Sequence, residues 1–163
     1  LDNSSVNTIF DGNQIINHKS TIVLTSNNYT YVIDSNTGTI IYKVNFSSKL
    51  KPIIAGDYIF LISKNNFLIS FDKKKGKIIY SMDIYKEIAE YFKIKKEIVE
   101  FKHLMLVNNE LRLFLENSYV LKFRLNGSLK NVTKIPSKKK SNPIIVDDSI
   151  MFLNNKNKII ILN

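Results

Sequence analysis

The sequence predicts an all-β fold built from four repeated sheets, each of four antiparallel strands. The stretch YVIDSNTGTIIYKVNF at 31–46 recurs, 38 residues later, as ISFDKKKGKIIYSMDI at 69–84. Short runs of Ile, Val, Leu, Phe and Tyr alternate with turn-forming Asn, Asp and Gly along most of the 163 residues. About four strands in about 40 residues, repeated, is typical of β-propeller blades.

The repeat extends to four copies. Residues 16–34 align without a gap on 54–72, residues 107–124 follow the same register, and 142–163 match 51–72. We therefore predict a single propeller or half-propeller domain over 1–163. Its predicted blades are 11–46, 47–84, 101–135 and 136–163.

Residues 1–10 precede the first copy and look like a spare outer strand. Val6 and Asn7 align with Val44 and Asn45 of the first blade. The fourth copy stops after its third strand, and an unpaired strand edge promotes aggregation. We expect 1–10 to complete that blade, in the same molecule or in a neighbour.

The most regular feature of the copies is a turn with an acid, a glycine and a tyrosine at fixed spacing. A carboxylate at the first position accepts backbone N–H groups, and glycine takes the left-handed conformation that a Cβ disfavours. The predicted structural residues are Asp34, Gly38, Tyr42, Asp72, Gly76 and Tyr80.

An insertion at 84–100 separates the second copy from the third. Its apolar residues recur at helical spacing, which predicts an amphipathic helix from 84 to about 96. Such a stripe most often packs on its own protein, and we prefer that reading. If the helix instead binds a partner, the contacts we expect are Tyr85, Tyr91 and Phe92.

Composition limits the possible partners. The net charge is +10, yet Arg112 and Arg124 are the only arginines, and recognition of nucleic-acid bases usually relies on arginine. A solvated lysine surface is the preferred interpretation, and a basic nucleic-acid or anionic-lipid binder remains an alternative. Cysteine is absent, and no apolar run approaches the roughly 20 residues that span a bilayer.

No arrangement of residues in the sequence indicates catalysis. His18 and His103 stand in different repeats, and neither has a second metal ligand at helical or hairpin spacing. Asp147 and Asp148 occupy a turn position of the repeat, so a carboxylate pair for acid–base chemistry is not expected. We find no nucleophile motif and no phosphate-binding loop.

The turn pattern resembles the repeat of pyrroloquinoline-quinone-type propellers, found in quinoprotein dehydrogenases and in BamB-like lipoproteins of the outer-membrane β-barrel assembly machinery. Copies one and two carry the resemblance, with Tyr42 and Tyr80 where these families usually have Trp. Copy three departs from it, because Arg124 replaces the acid and Gly127 sits one place early.

The resemblance implies a non-catalytic function. The dehydrogenases hold their quinone over a Trp beside Ca²⁺, and this chain has no Trp and no acidic cluster with metal-ligand spacing. We therefore expect no cofactor, no metal and no enzyme activity. We expect a scaffold for protein–protein interaction, similar to the assembly factor. The alternative within the family is the remnant of a quinoprotein dehydrogenase.

The resemblance also implies a compartment and an assembly state. The assembly factor is a periplasmic protein of the cell envelope, so we expect the same location, with an outer-membrane anchor in a segment outside this sequence. Propellers of this repeat type usually close as rings of seven or eight blades. Four blades that close on themselves are the third possibility; we expect instead a homodimer that completes a ring, or a chain cut from a longer protein.

Overall fold

The computed structural model describes residues 15–26, 28–93, 99–135 and 139–162. Blade 1 consists of β1 (Ile16–His18), β2 (Thr21–Ser26), β3 (Tyr29–Asp34) and β4 (Ile40–Val44). Blade 2 consists of β5 (Ile53–Ala55), β6 (Tyr58–Ile62), β7 (Phe67–Asp72) and β8 (Ile78–Asp83). The helix α1 (Ile84–Phe92) leads to blade 3, which consists of β9 (Phe101–Val107), β10 (Glu110–Leu115), β11 (Tyr119–Arg124) and β12 (Leu129–Lys134). Blade 4 consists of β13 (Ile144–Val146), β14 (Ser149–Leu153) and β15 (Ile159–Leu162).

Each sheet is an antiparallel meander in which neighbours in sequence are neighbours in space. In blades 1 to 3 the third and fourth strands pair with a register shift at the same repeat position, next to Val32, Ser70 and Lys122 respectively. The predicted all-β fold of propeller blades is confirmed as a partial propeller. The strand predicted at 1–10 lies outside the described residues.

Three apolar clusters join the blades in a row. Strand residues point alternately to the two faces of a sheet, and in blade 2 both faces are buried. Ile59 and Phe71 pack toward Val23 and Val32 of blade 1, whereas Phe60 points to the other face, toward blade 3. The third cluster joins blades 3 and 4 through Phe114, Val120, Ile150 and Phe152.

The helix belongs to the cluster between blades 2 and 3. The Asp83 carboxylate caps its start by accepting the backbone N–H groups of Tyr85 and Lys86. The helix is shorter than the predicted 84–96, because Lys93 adopts a left-handed conformation with φ 55° and its N–H turns back to the carbonyls of Ala89 and Glu90. Residues 94–98 lie outside the described part of the chain.

The two ends of the row remain open among the described residues, because no buried cluster connects blade 4 with blade 1. Apolar side chains lie exposed on blade 4, where Ile159 of β15 is 67% accessible and Ile144 of β13 is 58% accessible. Over the described ranges, no helix has the length and apolar character needed to cross a bilayer.

Candidate protein-interaction surface

The predicted acid–glycine turns form in blades 1 and 2. The carboxylate of Asp34 accepts the backbone N–H groups of Asn36 and Thr37 at 2.8 and 3.0 Å. The Asp72 carboxylate accepts two N–H groups at the same positions of its turn. Hydrogen bonds from Thr37 first, and then from Asn36, lower the pKa of Asp34. Gly38 and Gly76 have φ of 71° and 68°, the left-handed values that favour glycine.

Tyr42, on β4 of blade 1, contacts the acid–glycine turn of blade 2. Its hydroxyl donates toward the carbonyl oxygens of Asp72 and Lys73, at 3.0 and 2.8 Å. Its ring lies against Gly76, where a Cβ would come within 2.7 Å of the ring carbon Cδ2. Burial, followed by the nearby Asp72 charge, raises the pKa of Tyr42. The tyrosine of one repeat therefore packs on the glycine of the following repeat.

Tyr80 repeats this contact between blades 2 and 3, without the hydrogen bonds. A Cβ on Gly127 would lie 2.7 Å from the Tyr80 ring, yet the Tyr80 hydroxyl is buried and has no hydrogen-bond partner. The receiving turn differs in length. The Gly127 N–H donates to the Arg124 carbonyl and closes a four-residue turn, whereas the Gly76 N–H donates to the Asp72 carbonyl and closes a five-residue turn. Burial of the Tyr80 hydroxyl raises its pKa.

The helix offers less surface than the sequence suggests. Tyr85 is buried, its hydroxyl donates to the carbonyl of Val99 at 2.9 Å, and it is therefore a core residue with no surface for a partner. Phe92 is half-buried and packs edge-on against Tyr119, with ring centroids 5.4 Å apart. Only Tyr91 of these three is exposed, at 48%. Tyr85 and Phe92 therefore agree with the preferred sequence interpretation, in which the helix packs on its own protein, and Tyr91 does not.

A concave surface lies instead along β5, β9 and β13, the first strands of blades 2, 3 and 4, which we call the inner strands. We define the inner basin as this open cavity of about 660 Å³, bounded by 49–54, 102–106 and by Asn142, Pro143 and Ile145. Its lining is mixed: apolar side chains such as Ile53 and Leu104, here called the floor, and lysines, here called the rim. A concave apolar floor with polar groups at its rim is typical of a binding site.

The rim of the inner basin is positively charged. Lys49, Lys51 and Lys102 border it, and Lys139 and Lys140 border the adjoining cavity that shares Lys102 and His103. Lys102 is paired with the exposed carboxylates of Glu100 and Glu116, at 2.9 and 3.5 Å.

Burial, together with the charge of Lys102, lowers the pKa of Lys139 to about 8. The Lys139 ammonium also lies 4.7 Å from the centroid of the Phe114 ring, where the ring face attracts a cation.

Sequence reasoning missed the inner basin, because its lysines are far apart along the chain. A signal was present in the repeat, since KLKPII at 49–54 and KKSNPII at 139–145 both place lysines just before the proline of an inner strand. Lysines that recur at one position of a repeat meet around one end of the stacked sheets.

Neither histidine forms a metal site in the described part of the structure. His18 is exposed at the end of β1, whereas His103 lies on the wall of the inner basin. Burial and the charges of Lys139 and Lys102 lower the pKa of His103. Across the described ranges, no three His, Asp or Glu side chains come together as metal ligands.

The arrangement of blades is similar to that of known structures. BamB from Moraxella catarrhalis superimposes with a TM-score of 0.72 and 9% identity, over 91% of this chain and 42% of that chain. The computationally designed Ika4 protein superimposes with a TM-score of 0.67 and 10% identity, over 98% and 94% of the two chains. The designed Ika8 protein gives 0.62 and 10%, over 90% and 44%.

These likenesses show the propeller fold alone, because the identities are so low. The chain spans less than half the length of the BamB structure that it matches. No protein-family model matches the sequence, and no curated protein matches it.

Proposed function

We propose that this chain is a non-catalytic propeller scaffold that binds other proteins through the inner basin. The observation that carries the proposal is the combination of an apolar floor and a lysine rim in one open concavity of about 660 Å³. A partner that fits is an extended segment in which apolar and acidic side chains alternate, because such a segment satisfies both the floor and the rim.

The strands around the basin support the same proposal. Ile144 and Ile145 of β13 are exposed beside it, although β13 is an inner strand of the stack. Exposed apolar side chains that lie together, with charged residues around them, are characteristic of interaction sites. The neighbouring Lys51 is also exposed, so a bound segment contacts apolar and charged groups together.

The setting that we propose is the assembly of outer-membrane β-barrels in a bacterial envelope. Its support is the resemblance of the acid–glycine–tyrosine repeat to that of the BamB-like lipoproteins, together with the likeness in fold to BamB at a TM-score of 0.72. In this proposal the chain acts in the periplasm and carries no cofactor.

Site-specific photo-crosslinking tests the proposal. A photoreactive amino acid at Lys51 or Ile145 reports on the inner basin, and the same group at Lys77, an exposed lysine beside an outer strand, is the control. In bacterial envelope extracts we expect the two basin positions to capture a component of the barrel-assembly machinery, and Lys77 to capture none.

Charge reversal supplies a matched second test. Lys51→Glu should abolish the crosslink from Ile145, whereas Lys77→Glu should leave it unchanged, since only Lys51 borders the basin. Capture without any assembly component, or equal capture from all three positions, contradicts the proposal.

The lysine rim also favours a second candidate, a binder of polyanions. Single-stranded DNA and vesicles rich in phosphatidylglycerol are the probes, and affinity that falls steeply with salt identifies this function. Binding of either probe that Lys51→Glu weakens at low salt, with no protein captured from the basin, favours the polyanion function over the scaffold.

A further inference from the structure

A separate cavity lies between blades 3 and 4, away from the inner basin. Its volume is about 190 Å³, and its lining combines two cations with an apolar wall. The residues that matter here are Arg112, Lys122, Phe114, Val120, Thr133 and Leu162. None of them borders the basin, so a ligand in this cavity would be separate from the proposed scaffold function.

Arg112 is a buried charge with an unsatisfied hydrogen-bond donor. The residue is only 3% exposed, and its Nε atom is buried with no hydrogen-bond partner. Among the described residues, no carboxylate forms a salt bridge with its guanidinium. A buried arginine is almost always paired, because a buried N–H donor that lacks an acceptor destabilises the folded protein.

Lys122 adds a second positive charge on the same face of blade 3. It is the cross-strand neighbour of Arg112, and Asn131 follows it on the next strand. Burial, and then the charge of Arg112, lower the pKa of Lys122. The carboxylate of Glu110, on the same strand as Arg112, interacts electrostatically with both cations, but it is bonded to Lys130. Positive charge therefore remains in excess beside the cavity.

The other walls are apolar. Phe114 and Val120 are buried on blade 3, and Leu162 closes the far side from β15. An apolar cavity of about 150 Å³ holds a molecule the size of benzene, so this one accommodates a ligand of roughly eight non-hydrogen atoms. Thr133 and Ile161 at its edge are exposed, which leaves a route for entry.

We propose that this cavity binds an aliphatic carboxylate, with its carboxylate on Arg112 and Lys122 and its hydrocarbon chain against Phe114, Val120 and Leu162. The planar guanidinium matches a carboxylate in two parallel hydrogen bonds, which satisfies the donor that the protein leaves unpaired. The hydrocarbon portion then fills apolar space where no polar partner is available. The ligand has about six carbons in this size class.

A ligand series on the full chain tests the proposal. The probes are hexanoate, hexanol, hexylammonium and acetate, titrated into ¹⁵N-labelled protein. The chain has only two arginines, so the Arg112 Nε–H signal is identified by its loss in Arg112→Met, with Arg124 as an internal reference. We expect hexanoate to shift the Arg112 signal and leave that of the exposed Arg124 in place, with hexanol and acetate at least about tenfold weaker and hexylammonium without effect.

Two variants and one matched control separate binding from folding. Arg112→Met and Lys122→Gln should each weaken hexanoate about tenfold or more, whereas Arg124→Gln on the surface should leave the affinity unchanged. Lys122→Gln is included because Arg112→Met changes a buried residue, and unchanged far-UV circular dichroism checks the fold of both.

Three results overturn the proposal. These are the absence of any shift with hexanoate, equal affinity for hexanol, and an equal loss of affinity in Arg124→Gln. Comparing hexanoate with N-acetyl-alanyl-leucine distinguishes the sources of the carboxylate. Tighter binding of hexanoate assigns the site to a free fatty acid, and tighter binding of the dipeptide assigns it to the C-terminus of a peptide.

Discussion

The contact between Tyr42 and Gly76 predicts a difference between two glycine substitutions that look alike in sequence. Gly38 and Gly76 have φ of 71° and 68°, so an alanine at either position carries the same left-handed strain of about 1–2 kcal/mol. A Cβ at Gly38 meets nothing within 4 Å, whereas a Cβ at Gly76 lies 2.7 Å from the Tyr42 ring. Displacing a packed ring adds about 1–3 kcal/mol.

We therefore expect Gly38→Ala to lower the free energy of unfolding by about 1–2 kcal/mol and Gly76→Ala to lower it by about 2–5 kcal/mol. Urea titration followed by far-UV circular dichroism measures both. Because an array of repeats need not unfold in one step, tyrosine fluorescence is recorded in parallel as a second probe.

A double-mutant cycle identifies the source of the difference. In a Tyr42→Ala background the ring is gone, so Gly76→Ala should cost no more than Gly38→Ala. If Gly76→Ala costs the same as Gly38→Ala in the wild-type background, or if its excess cost persists without the ring, then the tyrosine does not dock on the glycine and the blades do not pack through this contact.

Other expectations concern hydroxyl groups, a helix cap and acid titration. Tyr42→Phe should lower the free energy of unfolding by about 0.5–1.5 kcal/mol, because the Tyr42 hydroxyl donates to two carbonyls. Tyr80→Phe should leave it unchanged or raise it, because the Tyr80 hydroxyl is buried without a hydrogen-bond partner. Equal effects of the two variants in urea titration would refute this. Asp83→Ala should lower the unfolding free energy by about 1 kcal/mol and Asp83→Asn by much less, since Asn also caps; equal losses in the same titration would count against the cap. The pKa values of Asp34 and Asp72 are lowered in the folded state, so their contribution to stability is present above about pH 4 and is lost as the pH falls through the lowered values. In denaturant titrations at several pH values, Asp72→Asn should weaken this loss of stability at acid pH. An unchanged acid dependence would refute its origin in Asp72.

The parts of the fold that depend on neighbours in sequence were predictable. The acid–glycine turns at Asp34 and Asp72 form through groups within a few residues of each other, and the repeat made them visible. The sequence also marked Tyr42, at the repeat position where the resembling families usually have Trp. It did not reveal Gly76 as the receiving residue, because the two meet only when successive sheets stack.

The helix end and Arg112 show where local patterns are insufficient. Lysine does not disfavour a helix, so nothing at Lys93 indicated that the chain would turn left-handed there. Leucines at 111, 113 and 115 alternate with other residues along β10, so Arg112 lies on the face opposite these leucines. In an open sheet that face is exposed to water. In a stack of sheets the opposite face meets another blade, so Arg112 is buried.

The inner basin and the cavity between blades 3 and 4 were not predictable for the same reason. Each gathers residues from separate repeats, and the lysines at 49–51 and 139–140 look like ordinary solvated charges until the inner strands meet. Position within the repeat, rather than distance along the chain, determines which residues come together.

The tyrosine contacts give the stack a direction. In both pairs the aromatic ring belongs to the earlier repeat and the glycine turn to the later one, as with Tyr80 and Gly127. A ribosome builds from the N-terminus, so each ring is synthesised before the turn that it meets. Blades 2 and 3 can thus each dock on a sheet that already exists, in the order of translation.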